Sequence, residues 1–175
     1  VPYITAGNVF WDKIEIDDLS MMNASPEEIK MYQIQNGDLL VSEGGDSGRS
    51  AIVDKINFDC IIQNHVHRLR PLNGSSSGYL ENVLRSIKES GWFDALTKRV
   101  TMNNLPSLIL ANIIMPVPSE KEQYEIYNFL QKKKIQFDEL IAKSKAQVTL
   151  LEEKRQALIT ATVTGKIDVR SEVVA

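Results

Sequence analysis

Cysteine is nearly absent: Cys60 stands alone among 175 residues. One thiol excludes an internal disulfide and fits a reducing compartment, so a cytoplasmic location is expected. Apolar runs of membrane-spanning length are missing, and no signal-peptide pattern opens the sequence, so no membrane partner is expected. The first residues, VPYITAGNVF, read as a strand already under way, and the natural domain is expected to begin upstream of Val1. There are only two histidines, His65 and His67, which leaves little from which to assemble a metal centre. Also missing are a P-loop, a GxGxxG turn and the Asn/Asp-Pro-Pro-Tyr of amino-methyltransferases. No cofactor and no catalytic centre are therefore expected in this chain.

What is present is ordinary globular material, with 43% hydrophobic and 25% charged residues. That suffices for one fair core plus an appendage. The net charge of −3 is unevenly spread. Residues 1–60 hold 4 basic and 11 acidic side chains, residues 61–118 hold 6 and 3, and residues 119–175 hold 10 and 9. A nucleic-acid surface in the middle segment is permitted by this asymmetry, not demanded.

Short strands and turn signals alternate through the first 118 residues. Ser25-Pro26-Glu27-Glu28 carries a serine cap, a proline at the first helical position and a glutamate three after the cap. The turn at Asn36-Gly37-Asp38 keeps that helix short. Leu39-Leu40-Val41 and Ala51-Ile52-Val53 read as strands around a glycine-rich loop, residues 42–49. CIIQNHVHRLR, residues 60–70, reads as one longer strand ending before Pro71. Asn73–Gly78 has the composition of a flexible loop, and Leu80, Val83, Leu84 and Ile87 follow at helical spacing up to Gly91. Leu105–Asn112 predicts a short helix, and Ile113-Ile114-Met115 a brief buried strand closed by Pro116 and Pro118. The fold class expected is mixed α/β (α+β), with several short strands.

After Pro118 the texture changes. Ser119-Glu120-Lys121-Glu122 is a second capping box, and no proline or glycine follows until Gly165. At ~1.5 Å per residue this predicts a helix roughly 65 Å long. Ile126, Leu130, Phe137, Leu140, Ile141, Val148, Leu151, Leu158 and Ile159 follow steps of three and four, a narrow seam with charged flanks. A seam that long calls for another helix. The domains expected are 1–118, the helix 119–163 and a tail 164–175.

Several fragments suggest chemistry. Gly45-Asp46-Ser47-Gly48 matches the loop around the nucleophile of chymotrypsin-like proteases, but both histidines follow Ser47 and too little chain precedes it. Its glycines fit a turn that another group approaches closely; a phosphate is one such neighbour, with Arg49 beside it. His65 and His67 share one face of the expected strand, without a third metal ligand in reach. Arg68 and Arg70 continue that strand, as phosphate or base contacts or as a solvated edge. Lys98-Arg99, with Thr101, Asn103 and Asn104, makes a basic-polar loop of the kind that touches DNA. Glu152-Glu153-Lys154 superficially has a nuclease E-x-K, but on a charged helix without a preceding strand aspartate.

One ordered combination is more specific. NGDLLVS (36–42) is followed by Gly45 and Gly48, then Asn64-His65-Val66, Leu69-Arg70-Pro71, Leu105, IIMPVPSEKEQYEIYNFL and EKRQALITATVTGKIDVR. In that order they resemble the target recognition domain and trailing conserved helix of the DNA-specificity subunit of Type I restriction-modification systems. The resemblance covers nearly the whole chain. It implies a non-catalytic reader of one half of a split double-stranded DNA target. The helix would pair as a coiled coil that spaces the half-sites, and would dock methyltransferase subunits. S-adenosylmethionine would be bound by those subunits, and the restriction subunit recruited by the complex. A complete subunit carries two domains and two helices, so one of each implies a piece, one chain of a split subunit, or a half-subunit that homodimerises. Candidate DNA-contacting residues are Ser42, Gly45, Ser47, Gly48, Arg49, His65, His67, Arg68, Lys98, Arg99 and Asn103. Candidate pairing residues are Leu130, Phe137, Leu140, Ile141, Val148, Leu151 and Leu158. The alternatives are a recognition fragment of a single-chain restriction-methylation enzyme, and an adaptor without a DNA role.

Overall fold

A computed structural model describes residues 1–93 and 104–170. Two compact units divide between Asn128 and Phe129.

The first unit is organised by β4 (Leu39–Ser42), the middle strand of a three-stranded antiparallel sheet, with β5 (Ser50–Ile52) on one side and β7 (Val66–Leu69) on the other. Its Leu-Leu-Val run has no polar alternation because both faces are buried. Leu40 points into a cluster with Ile4, Val9, Ile34, Val53, Cys60 and Val66. Leu39 and Val41, one residue out of phase, join Leu84, Phe93 and Leu105 in a second cluster. Two small sheets flank it: β1 (Tyr3–Ile4) runs parallel to β6 (Ile61–Ile62), and β2 (Val9–Phe10) pairs antiparallel with β3 (Lys13–Ile14).

Helix α1 (Pro26–Tyr32) starts on the expected box: Glu28 N donates to Ser25 Oγ at 3.2 Å, and Ser25 N to the Glu28 carboxylate at 2.8 Å. Helix α2 (Ser77–Glu89) is capped by Ser76, whose Oγ accepts from Tyr79 N, and lays Leu80, Leu84 and Ile87 on the second cluster. The loop expected over 73–78 is thus shorter, because the serine cap starts the helix before Gly78. Helix α3 covers Ser107–Ala111.

Two sequence readings are corrected. Residues 60–70 are not one strand. β6 follows β1 and β7 follows β4, so the chain changes sheet through a turn at 63–65, closed by Val66 N donating to Gln63 O at 3.0 Å. Ile113–Met115 is not a buried strand either, for Ile114 is 95% exposed. Pro116 and Pro118 lack the amides a ladder needs, and the segment packs only through Ile113 and Met115.

Helix α4 runs Glu120–Val163, 44 residues without a break. Ser119 Oγ accepts from Glu122 N at 3.4 Å. The first turns of α4 belong to the first unit. Gln123, almost wholly buried, accepts from Ser76 N and donates to Pro118 O, and the Tyr127 ring lies against Gly78. The helix ends in a Schellman motif. Lys166 N donates to Ala161 O at 2.8 Å and Gly165 N to Thr162 O at 3.1 Å, with Gly165 at φ +73°. In the second unit Phe137, Leu140, Ile141, Val148, Leu151 and Leu158 are each more than half exposed.

Candidate nucleic-acid interface

Three segments meet at one end of the β5-β4-β7 sheet. The 43–49 loop leaves β4, and Glu43 N donates to His65 O in the β6–β7 turn at 3.0 Å. Leu105 N donates to Glu43 O at 2.8 Å, which joins the chain after residue 103 to the same place. Gly44 lies against the Asn104 side chain and Gly48 against the Phe93 ring, so both residues flanking 94–103 abut the glycine loop. Lys98, Arg99 and Asn103 lie outside the described residues.

Within this cluster the candidate residues divide. Ser42, Ser47 and Gly48 are buried. Ser42 Oγ donates to Gly44 O at 2.8 Å. A Cβ on Gly48, already at φ +89°, would stand 2.8 Å from the Phe93 ring. The close neighbour of the loop is therefore an aromatic side chain, and burial gives these three residues no outward contact in this structure. Gly45 and Asp46 form the exposed tip.

Arg49 lies over the Phe10 ring at 5.2 Å, donates to Ala6 O at 3.4 Å, and has its Nε 3.9 Å from Asp46. Lys88, at the end of α2, brings its Nζ to 3.1 Å from the same aspartate. Arg68 donates to Gln33 O. Arg70 forms two bonds, 2.6 and 2.7 Å, to the buried carboxylate of Asp38, which holds its guanidinium pKa above the ordinary value. Arg68 and Arg70 are thus engaged within the fold. The histidines do not share a strand face. His65 sits in the turn with Nδ1 3.6 Å from Glu43, while His67, on β7, places Nε2 2.7 Å from Leu105 O. Among the described residues no group of three or more His, Cys, Asp or Glu is arranged to hold a metal ion.

Sequence reasoning did not name Gln63 or Asn64 as DNA-contact candidates, although Asn64 stands in the Asn64-His65-Val66 run. Neither side chain engages another described residue. Both line a cleft of about 510 Å³, with Met22, Ala24, Tyr32 and Ile62 supplying apolar wall and Asn23 a third amide. Unsatisfied amides on a tight turn beside His65 suit base edges, since Asn and Gln can bond them in pairs. Asn64 was visible in the sequence, but only the sheet change at 63–65 turns it outward.

The second unit offers a different surface. An open hollow along α4 is lined by Phe137, Leu140, Ile141, Ser144, Lys145, Val148 and Thr149. Every apolar side chain in it had been assigned to the pairing seam. No helix among the described residues is long and apolar enough to cross a membrane.

The described residues thus form a sheet-built domain with converging polar loops, followed by a long helix with an exposed apolar seam. Residues 1–150 match the family described as the Type I restriction modification DNA specificity domain, and the chain belongs to that family. It is 25% identical over 174 residues to the Type I restriction enzyme StySPI specificity subunit of Salmonella potsdam, an alignment covering 95% of this chain and 36% of that protein. A solved structure described as the structural basis underlying complex assembly and conformational transition of the type I R-M system shares the fold. It matches with a TM-score of 0.70 at 19% identity, over 92% of this chain and 37% of that one. The chain spans a little over a third of the length of both.

Proposed function

We propose that this chain is a non-catalytic DNA-reading module of a Type I restriction-modification complex, recognising one half of a split double-stranded target. The observation that carries the reading is the convergence of the 43–49 loop, the 63–65 turn and the flanks of 94–103 at one sheet end. Gly45, Arg49, His65, Lys98, Arg99 and Asn103 remain the sequence-derived candidates for DNA contact, joined by Gln63 and Asn64. Phosphate contacts would position the domain and the turn amides would specify bases. The seam of α4 pairs with another helix, from a second copy or a second half-subunit, and the ~65 Å rod sets the spacing between two readers. Methyltransferase subunits dock on the paired helices and bring S-adenosylmethionine; the restriction subunit joins through the complex. A separate subunit is favoured over a segment of a single-chain enzyme because the relative it matches is itself a specificity subunit.

The test is an electrophoretic shift with methyltransferase subunits present, followed by selection from random duplex DNA. A split motif with a fixed gap should be enriched, and affinity should fall as salt rises. A folded complex that recovers only random sequence would remove the reading, and loss of all salt dependence would favour the adaptor.

A further inference from the structure

The cleft beside the 63–65 turn is deeper and more firmly built than reading base edges in a groove requires. One wall is the chain before and along α1, with Met22 and Asn23 ahead of the helix and Tyr32 at its end; the other is β6 and the turn that follows it. Backbone bonds tie the α1 segment down at both ends. Met22 N donates to Val1 O at 3.0 Å, beside the chain entering β1, and Ile34 N donates to Cys60 O at 3.0 Å, beside the chain entering β6. Ile61 N closes the set by donating to Pro2 O at 3.1 Å. The cleft is therefore preformed, and its volume of about 510 Å³ is that of a small-molecule site. Its lining suits a neutral, planar ligand. Glu28 is the one charged residue among the lining side chains, and its carboxylate already accepts from Ser25 N at 2.8 Å, so a phosphate would meet no cation there. Asn23, Gln63 and Asn64 each offer a donor and an acceptor without a side-chain partner among the described residues. Between these amides stand the Tyr32 ring and the apolar side chains of Met22 and Ile62. A heterocycle with apolar faces and a hydrogen-bonding edge meets both kinds of surface.

We propose that this cleft receives one nucleobase of the target, rotated out of the duplex, with Tyr32 as its stacking partner and Gln63 and Asn64 bonding its edge. This rests on the DNA-reading assignment above and deepens it: the turn amides read a base that has left the stack. Extrusion costs the base its pairing and stacking, and the cost is smallest where the base has no partner. A free nucleoside has the same chemistry, so the experiment separates the two sources.

The measurement is duplex affinity of the full chain assembled with its methyltransferase subunits, on target DNA in which each half-site base in turn faces an abasic site. At one position, removing the pairing partner should tighten wild-type binding about tenfold. Tyr32→Ala should lose most of that gain, whereas Tyr32→Phe, which keeps the ring, should retain it. Asn64→Ala should lose the gain as well and also weaken binding to the intact target. Tyr32 and Asn64 are both exposed, and Asn64→Ala decides the matter should Tyr32→Ala melt early. A gain at no position, or a gain that both alanine variants keep, would overturn the base site while leaving the reading function standing. A gain due to base extrusion by the methyltransferase alone falls in the second case. Wild-type complex that binds no duplex at all would overturn the reading function and the base site with it. Free deoxynucleosides that bind wild type in equilibrium dialysis but not Tyr32→Ala, with no gain on any abasic duplex, would show a small-molecule site and likewise overturn the proposal.

Discussion

Arginines 49, 68 and 70 look interchangeable in the sequence, and the fold uses each differently. Arg70 is locked in a paired bond to Asp38, Arg68 is capped by a backbone carbonyl of the segment before β4, and only Arg49 lies beside a solvent-facing loop. The partners of Arg68 and Arg70 lie 35 and 32 residues away, so spacing could not assign them; only strand register does. Cys60 shows the same limit. The sequence marks it as a lone thiol, and the structure places it in the first cluster, where burial pushes its pKa from 9.0 to about 11. Folded protein should therefore react with a disulfide reagent at pH 8 far more slowly than unfolded protein, and comparable rates would contradict the burial. The sign for stability follows. A thiol held protonated by the fold contributes fully below pH 9, and that contribution fades as pH rises towards about 11. Denaturant midpoints measured from pH 8 to 11 for wild type and Cys60→Ala should differ in slope in that sense.

At the scale of elements, local chemistry was readable where a single segment decides the outcome. The Ser25–Glu28 box, the Ser119 cap and the Gly165 stop all stand where the residues demand them. What was not readable depends on pairing between distant segments. The split of 60–70 exists because β6 and β7 have different partner strands, and the apolar run Ile113–Met115 leads into Pro116 and Pro118, which have no amides for a ladder. Gly78 belongs here as well. It reads as a loop residue, yet the Ser76 cap places it in α2, and the Tyr127 ring of α4 occupies the space a Cβ would take. Gly78→Ala would favour an isolated helix by propensity. In this protein it should instead destabilise, by roughly 1–3 kcal/mol from overpacking. A thermal melt that rises for Gly78→Ala would show that the α2–α4 contact is not formed.

For the whole molecule, the composition separated a globular segment from a proline- and glycine-free rod, and the family match, residues 1–150, covers the first and reaches into the second. The candidate interface was only half legible. The glycine loop and the basic segment stand out in the sequence, but the burial of Ser42, Ser47 and Gly48 and the outward amides of Gln63 and Asn64 emerge from three-dimensional packing. The seam of α4 was legible throughout, because a repeat of three and four residues survives without any tertiary information. Its exposure over Phe137, Leu151 and Leu158 supports the proposed requirement for a second helix. Sedimentation equilibrium of the chain addresses that requirement most directly, comparing wild type with the Leu151→Asp, Leu158→Asp double variant. Pairing of two copies through the seam predicts a wild-type mass above that of one 19.7 kDa chain and a monomeric but still helical double variant. A monomeric wild type, or a double variant of undiminished mass, would contradict it.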